Sequence, residues 1–414
     1  MDQNRNSPSF CVLPFIHVNS SVTGRVRPCC NTQKYFSFND REKSLVEAFH
    51  SDEMEQLRED LNTGKRPEIC DICWKNEDTG IRSQRQHNNE KFREYTESGL
   101  QFLDIKFDNK CNLQCRMCDP YSSNQIWKTI EMVDVTPHHL KHIVLTEEQY
   151  DARDNSEKRK EYVLESLPYV KFLKCTGGEP FVSNHFLEVL HAAVDSGDSK
   201  HITLSITTNG TKFSSKITKL FEHFESIDIN ISVDGTYETY DYIRYPFTYS
   251  QWKDRVIDFL TDMEEMDHPN FKYRFSTVVT VYNYLNLCDL QKELDSIVGM
   301  FPLLNPKHQH VNHFDFDLKP ENSELHAKWL PASILKMERD KAQELFNVKF
   351  STHPLNSIVG FVNKWMTDPE KLEKTGESLV KLKESSTIID KVRKQDFRTL
   401  HPVLVDWIDE YKSP

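Results

Sequence analysis

Along the chain from Gln101, short apolar segments alternate with longer stretches of helical character. Six of these segments are rich in β-branched and aromatic residues and end in turn residues, which predicts strands. They span residues 103–107, 170–175, 202–207, 227–233, 273–281 and 311–316. Helices are expected at 120–133, 184–195, 212–224, 250–263 and 286–298. This alternation predicts an α/β fold with a parallel sheet and right-handed crossovers, either an open partial barrel or a doubly wound sheet.

The same pattern divides the chain into predicted domains. Residues 1–75 form a small cysteine-bearing module, with a hairpin turn at 20–24 and one helix from the N-cap Ser44 through residue 61. Residues 76–99 are polar and predict a helical linker. Residues 100–320 hold the alternating strands and helices, with an insertion at 134–168, and residues 321–414 predict a helical extension.

Composition narrows the class of protein. The 414 residues leave room for two or three domains, and the net charge of −12 comes from interspersed acidic and basic residues, which argues against a general nucleic-acid binder. No run approaches the ~20 apolar residues that span a bilayer. The amino terminus lacks the apolar stretch of a signal peptide. We therefore expect a cytoplasmic protein without a membrane partner.

The ten cysteines are unevenly distributed. Five lie before residue 74 and three lie between residues 111 and 118, whereas Cys175 and Cys288 stand alone and are expected to be buried thiols. In a reducing compartment such groups are unlike a disulfide framework. Their spacing therefore predicts two metal centres.

The central group reads C-x3-C-x2-C, with Cys111, Cys115 and Cys118 directly after the first predicted strand. Each iron of a four-iron cluster needs its own ligand, so three thiolates leave one iron open to something other than protein. A structural zinc loop is the alternative, although zinc usually takes a fourth nearby ligand. An open iron at the carboxyl end of a strand favours catalysis.

Three further loops follow predicted strands. They read Thr-Gly-Gly-Glu-Pro at 176–180, Thr-Thr-Asn-Gly at 207–210 and Ser-Val-Asp-Gly at 232–235. In parallel α/β folds the reactive groups gather at the carboxyl ends of the strands. We therefore expect these loops and the cysteine run to face one pocket.

Together these loops resemble those of radical S-adenosylmethionine (radical SAM) enzymes over residues 100–320. The resemblance implies a partial (β/α)6 TIM-like barrel, a [4Fe–4S] cluster on Cys111, Cys115 and Cys118, and S-adenosylmethionine on the open iron. It also implies reductive cleavage of that ligand to a 5′-deoxyadenosyl radical, which abstracts hydrogen from a substrate. In similar proteins the residue before the last cysteine is often aromatic and packs on adenine, whereas here it is Met117.

The resemblance also implies roles for the other loops. Gly177 and Gly178 lack Cβ atoms and permit close approach of backbone to the ligand, and Ser232 and Asp234 could reach the ribose. The other residues expected to bind cofactor are Glu179, Asn209 and Arg244. Arg244 is the candidate for the carboxylate because guanidinium pairs bidentately with it.

The amino-terminal cysteines resemble the first half of the auxiliary-cluster module called SPASM, or its shorter form, twitch. Cys11, Gly24 and Cys29 give C-x12-G-x4-C, and Cys70-x2-Cys73 follows. The resemblance implies one auxiliary [4Fe–4S] cluster held by Cys11, Cys29, Cys70 and Cys73, with Cys30 as an alternative to Cys29. In similar enzymes the module follows the barrel, whereas here it precedes it. A zinc ribbon remains the alternative.

Enzymes with such modules often modify peptides or proteins, so a peptide or protein substrate is the leading hypothesis, with a reductant such as flavodoxin or ferredoxin. Radical chemistry on a small molecule or nucleotide in cofactor synthesis is the second hypothesis. A third, of another class, is a non-catalytic iron–sulfur or zinc protein used for binding or electron transfer.

Overall fold

The structure is a computed structural model. It describes residues 3–32, 34–80, 82–141, 146–151, 154–304, 314–318, 323–346, 362–363, 365–366 and 369–410. Among these residues, no helix combines the length and the apolar character needed to cross a membrane.

The described strands form one open sheet in the order β2-β1-β3-β4-β5-β6-β7-β8. They are β1 His17–Ser20, β2 Val26–Arg27, β3 Phe102–Ile105, β4 Phe172–Cys175, β5 Thr203–Thr208, β6 Ser226–Ser232, β7 Phe271–Val279 and β8 Phe314–Leu318. The pairs β1–β3, β3–β4, β4–β5 and β7–β8 are parallel, and β2 pairs antiparallel with β1. The predicted α/β class with a mostly parallel, unclosed sheet is confirmed.

Each of the six predicted strands coincides with one of β3 to β8, although residues 311–313 of the last prediction lie outside the described residues. The hairpin expected near residues 20–24 is also present as β1 and β2. The parallel pairing of β1 with β3 was not predicted. It brings Asn19 opposite Asp104, so the amino-terminal segment extends the sheet.

The described α-helices are mostly short segments between the strands. Their bounds are Leu13–Ile16, Leu45–Phe49, Asp52–Asn62, Asp71–Asp78, Gln84–Lys91, Gln125–Glu131, Glu147–Asp151, Ser156–Ser166, Asn184–Ser196, Ser215–Phe221, Tyr237–Ile243, Tyr249–Met266, Leu287–Gly299, Ala332–Phe346, Pro369–Arg393, Phe397–Leu400 and Pro402–Glu410.

The prediction of one helix over residues 44–61 is wrong, because two helices cover this segment. Ser44 caps the first in a capping box with Glu47, as its position suggested. The first helix ends at Phe49, and Ser51 then accepts a hydrogen bond from the backbone N–H of Met54 to cap the second. A second N-cap inside an apolar-periodic segment therefore divides it.

The chain contains two compact units. The first comprises Met1–Asn109, Thr146–Thr207 and Lys219–Asp228, and the second comprises Lys110–Leu145, Thr208–Thr218 and Ile229–Pro414. A core of aromatic residues lies within the first unit, where the ring centroids of Phe102 and Phe172 are 4.7 Å apart. In the second unit the cysteine loop packs into the same core as the carboxy-terminal helices.

A buried arginine joins three segments of the first unit. Arg159, on helix Ser156–Ser166, donates from Nε to Asp40 Oδ2 at 2.6 Å and to Ser20 Oγ at 3.2 Å. Its NH1 donates to the carbonyl of Phe107 at 2.5 Å. Because both charged side chains are fully buried, losing one of them would leave the other uncompensated.

We predict that Arg159→Met lowers the free energy of unfolding by about 3–5 kcal/mol, because it leaves the Asp40 carboxylate buried without its cation. The measurement is the urea-induced unfolding transition of the purified protein. Lys158→Met, at an exposed position on the same helix, is the matched control and should leave the transition unchanged. Equal effects of the two substitutions would contradict the proposed importance of the buried pair.

Candidate functional site

The loop that carries Cys111, Cys115 and Cys118 lies in the second unit and has no regular secondary structure. Cys111 and Cys115 are buried, and Cys118 is half-buried. Backbone N–H groups of the loop donate hydrogen bonds to defined acceptors. The N–H of Cys111 donates to Asn124 Oδ1 at 3.1 Å, and the N–H of Cys118 donates to the carbonyl of Cys115 at 3.0 Å. One of these bonds lies within the loop and the other joins it to Asn124.

The segment after helix Tyr237–Ile243 runs alongside this loop. The N–H of Gln114 donates to the carbonyl of Tyr245 at 2.7 Å, and the N–H of Arg116 donates to the carbonyl of Ile243 at 3.0 Å. These bonds pair the loop, over alternate residues, with the end of this helix and the residues that follow it. The middle of the cysteine run is therefore fixed by backbone from a distant part of the sequence.

Arg116, between the second and third cysteines, is buried and anchors the loop to the carboxy-terminal helix Pro369–Arg393. Its NH2 forms an ion pair with Asp390 and donates to Gln395 Oε1 at 2.9 Å. Its Nε donates to the carbonyl of Tyr242 at 3.0 Å, and its guanidinium lies 3.5 Å from the centroid of the same residue's ring. This side chain was missed by sequence reasoning, although it stands inside the motif.

Asn209 contacts the cysteine loop directly. Its Nδ2 donates to Cys111 Sγ at 3.8 Å and to Asn112 Oδ1 at 3.0 Å. Its Oδ1 accepts the backbone N–H of Thr211 at 3.0 Å. The arrangement fixes the loop around the first cysteine, so Asn209 is positioned to orient a cluster ligand.

Asp234 and Arg244, predicted as ligands of ribose and carboxylate, are paired with each other. Arg244 donates to Asp234 Oδ2 from Nε at 2.7 Å and from NH2 at 2.6 Å, and the N–H of Val278 donates to Asp234 Oδ1 at 2.9 Å. Burial lowers the pKa of Arg244, but the Asp234 carboxylate more than compensates, and the pKa is raised overall. The Arg244 guanidinium is therefore already engaged.

Of the other predicted ligands in this unit, Met117 and Ser232 differ in exposure. Met117 is buried in the core that also contains Cys111 and Cys115. Ser232, the last residue of β6, is half-buried. Their roles as cofactor ligands stay predictions.

Arg393, the last residue of helix Pro369–Arg393, is a second arginine that the sequence did not single out. It is 5% exposed, and its Nε and NH1 have no hydrogen-bond partner among the described residues. Burial lowers the pKa of its guanidinium to about 10, with a further decrease from Arg116 that Cys115 partly offsets. No local sequence signal distinguishes it from the other charged residues of that helix.

The Gly177–Gly178–Glu179 loop lies in the first unit, after β4. Gly177 and Gly178 have φ angles of +80° and +46°. A Cβ on Gly177 would lie 2.8 Å from the Cβ and Cγ of Lys106, so a larger residue is excluded both by backbone conformation and by space. Glu179 is buried and accepts the N–H of Phe181 at 3.2 Å, which caps the short helix Pro180–Val182.

Four amino-terminal cysteines of the first unit line one cavity, namely Cys11, Cys29, Cys70 and Cys73. Cys30 does not line it and is exposed. Five residues were predicted as possible ligands, and the structure brings four of them together.

The ionisable groups around this cavity are affected by burial and by one another. Arg85 also lines it, but it pairs with Glu77 at 2.6 Å. Burial raises the pKa of Cys11 to about 12. The hydrogen bond between Cys29 and Cys30 raises the pKa of Cys29 and lowers that of Cys30 to about 6.

Within the described part of the chain, no three histidine, cysteine or acidic side chains converge as ligands of a single metal ion. In a cluster each thiolate binds a different iron, so the ligands stand further apart than around one zinc ion. Cys175 and Cys288, predicted as buried thiols, are buried.

Comparison with known proteins now identifies the two cysteine-bearing regions. The family model of the radical SAM superfamily matches residues 105–296. The model of the SPASM iron–sulfur cluster-binding domain matches residues 11–74. The two cysteine-bearing regions are thus similar to a radical SAM domain and to a SPASM-type domain.

Two relatives match part of this chain. The uncharacterised protein MJ0907 of Methanocaldococcus jannaschii is 27% identical over 214 residues, which cover 50% of this chain and 64% of MJ0907. TigE of Paramaledivibacter caminithermalis, named a radical SAM cyclopropyl synthase, is 23% identical over 232 residues, covering 55% of this chain and 46% of TigE. The chain thus matches less than two thirds of the length of either relative.

Similar solved structures include that of Streptococcus suis SuiB bound to S-adenosylmethionine, which is 13% identical and has a TM-score of 0.36 over 73% of this chain and 59% of SuiB. Native anSMEcpe with bound AdoMet is 16% identical, with a TM-score of 0.34 over 59% of this chain and 60% of that protein. These TM-scores are too low to carry an inference about residue roles.

A radical SAM domain implies a [4Fe–4S] cluster and S-adenosylmethionine, and a SPASM domain implies additional iron–sulfur ligation. The residues present fit these groups. Three cysteines of a fixed loop and four cysteines around a cavity supply the thiolates that iron–sulfur clusters require.

We predict that Gly177→Ala destabilises the protein more than Gly197→Ala does. Both glycines have positive φ, +80° and +83°, so both substitutions should cost about 1–2 kcal/mol from backbone strain. Only Gly177 is crowded, whereas no atom lies within 4 Å of a Cβ on Gly197. Overpacking against Lys106 should add about 1–3 kcal/mol.

The measurement is the shift in the urea unfolding midpoint of each variant. Gly197→Ala serves as the matched control for backbone strain. Equal shifts would mean that the close approach at Gly177 relaxes without cost and that the loop has no steric need for glycine.

Proposed function

We propose that the chain is a radical SAM enzyme that reductively cleaves S-adenosylmethionine and abstracts hydrogen from a peptide or protein substrate. The observation that carries the proposal is the ordered loop of Cys111, Cys115 and Cys118, which offers three thiolates to a four-iron cluster. When bound, the cluster and S-adenosylmethionine supply the electron and the 5′-deoxyadenosyl radical. The chain's residues hold these groups in place and exclude water.

The proposed roles follow from the contacts of each side chain. Asn209 orients Cys111 through its hydrogen bonds, and Arg116 keeps the loop against the carboxy-terminal helix. Gly177 and Gly178 give the cofactor close access to backbone. The Asp234–Arg244 pair holds the loop after β6 in place.

The four cysteines of the amino-terminal cavity are proposed to ligate an auxiliary [4Fe–4S] cluster. Because four thiolates would occupy all four irons, this cluster would have no open position and would transfer electrons. Cys29 lines the cavity and Cys30 does not, which favours Cys29 as the ligand. A reductant such as flavodoxin or ferredoxin is proposed as the electron source.

A polar substrate is supported by a row of polar side chains across β1, β3 and β4 in the first unit. Lys174 Nζ donates to Asp104 Oδ2 at 2.9 Å, and Asn19 Nδ2 donates to the carbonyl of Asp104 at 3.1 Å. Asp104 Oδ1 is buried and has no hydrogen-bond partner among the described residues. Lys174 and Asp104 also interact electrostatically with Cys30, near the proposed auxiliary cluster.

Such partly satisfied polar groups suit amides and charged termini better than an apolar ligand. The association of SPASM modules with peptide modification favours a peptide among polar substrates. The name of the relative TigE, a radical SAM cyclopropyl synthase, is consistent with radical chemistry at carbon.

We predict that the protein, reconstituted anaerobically with iron and sulfide and reduced with dithionite, converts S-adenosylmethionine to 5′-deoxyadenosine. The triple variant of Cys111, Cys115 and Cys118 to alanine should lose this activity and about half of the bound iron, since the auxiliary cluster remains. The measurements are chromatography of the nucleoside product and iron and sulfide analysis.

Cys288→Ala is the control, because this thiol is buried but lies outside both cysteine groups. It should keep both the product and the iron. No 5′-deoxyadenosine above background in the wild type would favour a non-catalytic binding protein. Zinc without iron in the triple variant would make the amino-terminal site a zinc ribbon.

We also predict that peptide mixtures, and not nucleotides, gain or lose mass in an S-adenosylmethionine-dependent reaction. Lys174→Met should reduce this modification at least tenfold and leave substrate-free formation of 5′-deoxyadenosine intact. The readout is mass spectrometry of the substrate beside the nucleoside assay. Lys200→Met, at an exposed position of the same unit, is the control. Modification of nucleotides alone would overturn the peptide assignment.

A further inference from the structure

Arg85 is the one charged side chain among the described residues that line the cavity of Cys11, Cys29, Cys70 and Cys73. The other lining side chains are uncharged, and most of them are apolar. The side chain of Arg85 is itself only 11% exposed. Because water and salt screen a charge weakly in such surroundings, the guanidinium acts on the cavity more strongly than a surface cation would.

Contacts with three residues fix the guanidinium of Arg85. Its Nε and NH2 donate to Oε1 and Oε2 of Glu77 at 2.9 and 2.6 Å, and its NH1 donates to the carbonyl of Phe10 at 2.6 Å. The same group lies 5.0 Å from the ring centroid of Trp74, which directly follows Cys73. Since each nitrogen of the guanidinium has a partner within the chain, Arg85 is a fixed charge at the cavity and not a group that awaits a ligand.

The positive member of this ion pair is the one at the cavity. Glu77 binds Arg85 through both carboxylate oxygens but does not line the cavity. Burial raises the pKa of Cys11, whereas Arg85 lowers this pKa by more than Glu77 raises it. Burial also raises the pKa of Cys70, and Arg85 again opposes the increase. The pair is neutral as a whole, yet its effect on these cysteines is that of a cation.

Resting on the proposed function, we infer that Arg85 raises the reduction potential of the auxiliary cluster and that Glu77 limits the increase. One electron from the reductant makes the cluster more negative by one charge, and no bond forms or breaks. A fixed cation at the cavity stabilises this reduced form more than the oxidised form. The net charge around an iron–sulfur cluster is one of the features that set its potential.

The experiment measures the potential of the auxiliary cluster in the anaerobically reconstituted full-length protein, by redox titration followed with electron paramagnetic resonance. The triple variant of Cys111, Cys115 and Cys118 to alanine assigns the signal, because it keeps only the auxiliary cluster. Arg85→Met should lower the potential. At a fixed applied potential the ratio of reduced to oxidised cluster should fall at least tenfold, which is about 59 mV for a one-electron couple.

Three further variants separate charge from packing. Glu77→Gln removes the negative member of the pair and should raise the potential, whereas a loss of packing gives no reason for opposite shifts from the two partners. Arg85→Lys keeps the positive charge and should change the ratio less than threefold. Arg82→Met, at an exposed arginine that pairs with Glu90, is the matched control and should leave the potential unchanged.

Arg85→Met leaves Glu77 without its cation, so the double variant Arg85→Met/Glu77→Gln replaces it if the single variant does not fold. The double variant should also lower the potential, by a smaller amount, because the cation is the member at the cavity. Iron and sulfide are measured on every sample, so that potentials are compared at equal cluster content.

An unchanged potential in Arg85→Met, or a lowered potential in Glu77→Gln, would overturn the inference. Loss of iron in both Arg85→Met and the double variant would overturn it as well and make Arg85 a residue that folding or cluster assembly requires. A wild-type protein whose amino-terminal site holds zinc, or no metal, would instead refute the proposed auxiliary cluster, and the inference with it.

Discussion

The buried Arg116–Asp390 ion pair is the interaction on which the cysteine loop depends. The loop has no helix or strand of its own, so its backbone groups must find other partners as they are buried. Neighbouring segments supply these partners. Arg116 also joins the loop to Asp390, on a helix 274 residues further along the sequence. Removing either charge would leave its partner buried and uncompensated. Contacts from the chain itself thus hold the loop, as a preorganised site requires.

The two cysteine sites differ in how their charge is balanced. In the first unit, Arg85 lines the cavity but is neutralised by Glu77, and burial raises the pKa of Cys11 to about 12. Without metal, this thiol is protonated at neutral pH. Because iron binds the thiolate, cluster assembly at this site must release protons and becomes more favourable as the pH rises. In the second unit, Arg393 provides a cation that no described carboxylate neutralises.

Six strands could be predicted because the residue types that favour a strand, and the turn residues that end it, are local features of the sequence. The segments that became β3 to β8 are short, apolar and bounded by turn residues. The pairing of β1 with β3 could not be predicted, since it joins Asn19 to Asp104 across a long stretch of intervening chain. The helix over residues 44–61 was predicted as one element because its apolar spacing continues through Ser51, where a second cap divides it.

The candidate site likewise combines features that are visible in the sequence with features that only the tertiary structure creates. The cysteines could be grouped from spacing, since ligands of one centre cluster in the sequence. The ion pairs of the buried arginines could not be predicted in this way, because each depends on which carboxylate the fold brings close. Arg244 stands close to the loop motifs, yet Asp234 engages it within the same ten residues. Arg393 stands in a charged helix, and only folding brings its guanidinium to 5.2 Å from the ring centroid of Tyr245, whose carbonyl accepts the N–H of Gln114 in the cysteine loop. Spacing along the sequence therefore identifies the ligands of a metal centre, whereas the buried ion pairs that hold those ligands in place arise only from the tertiary structure.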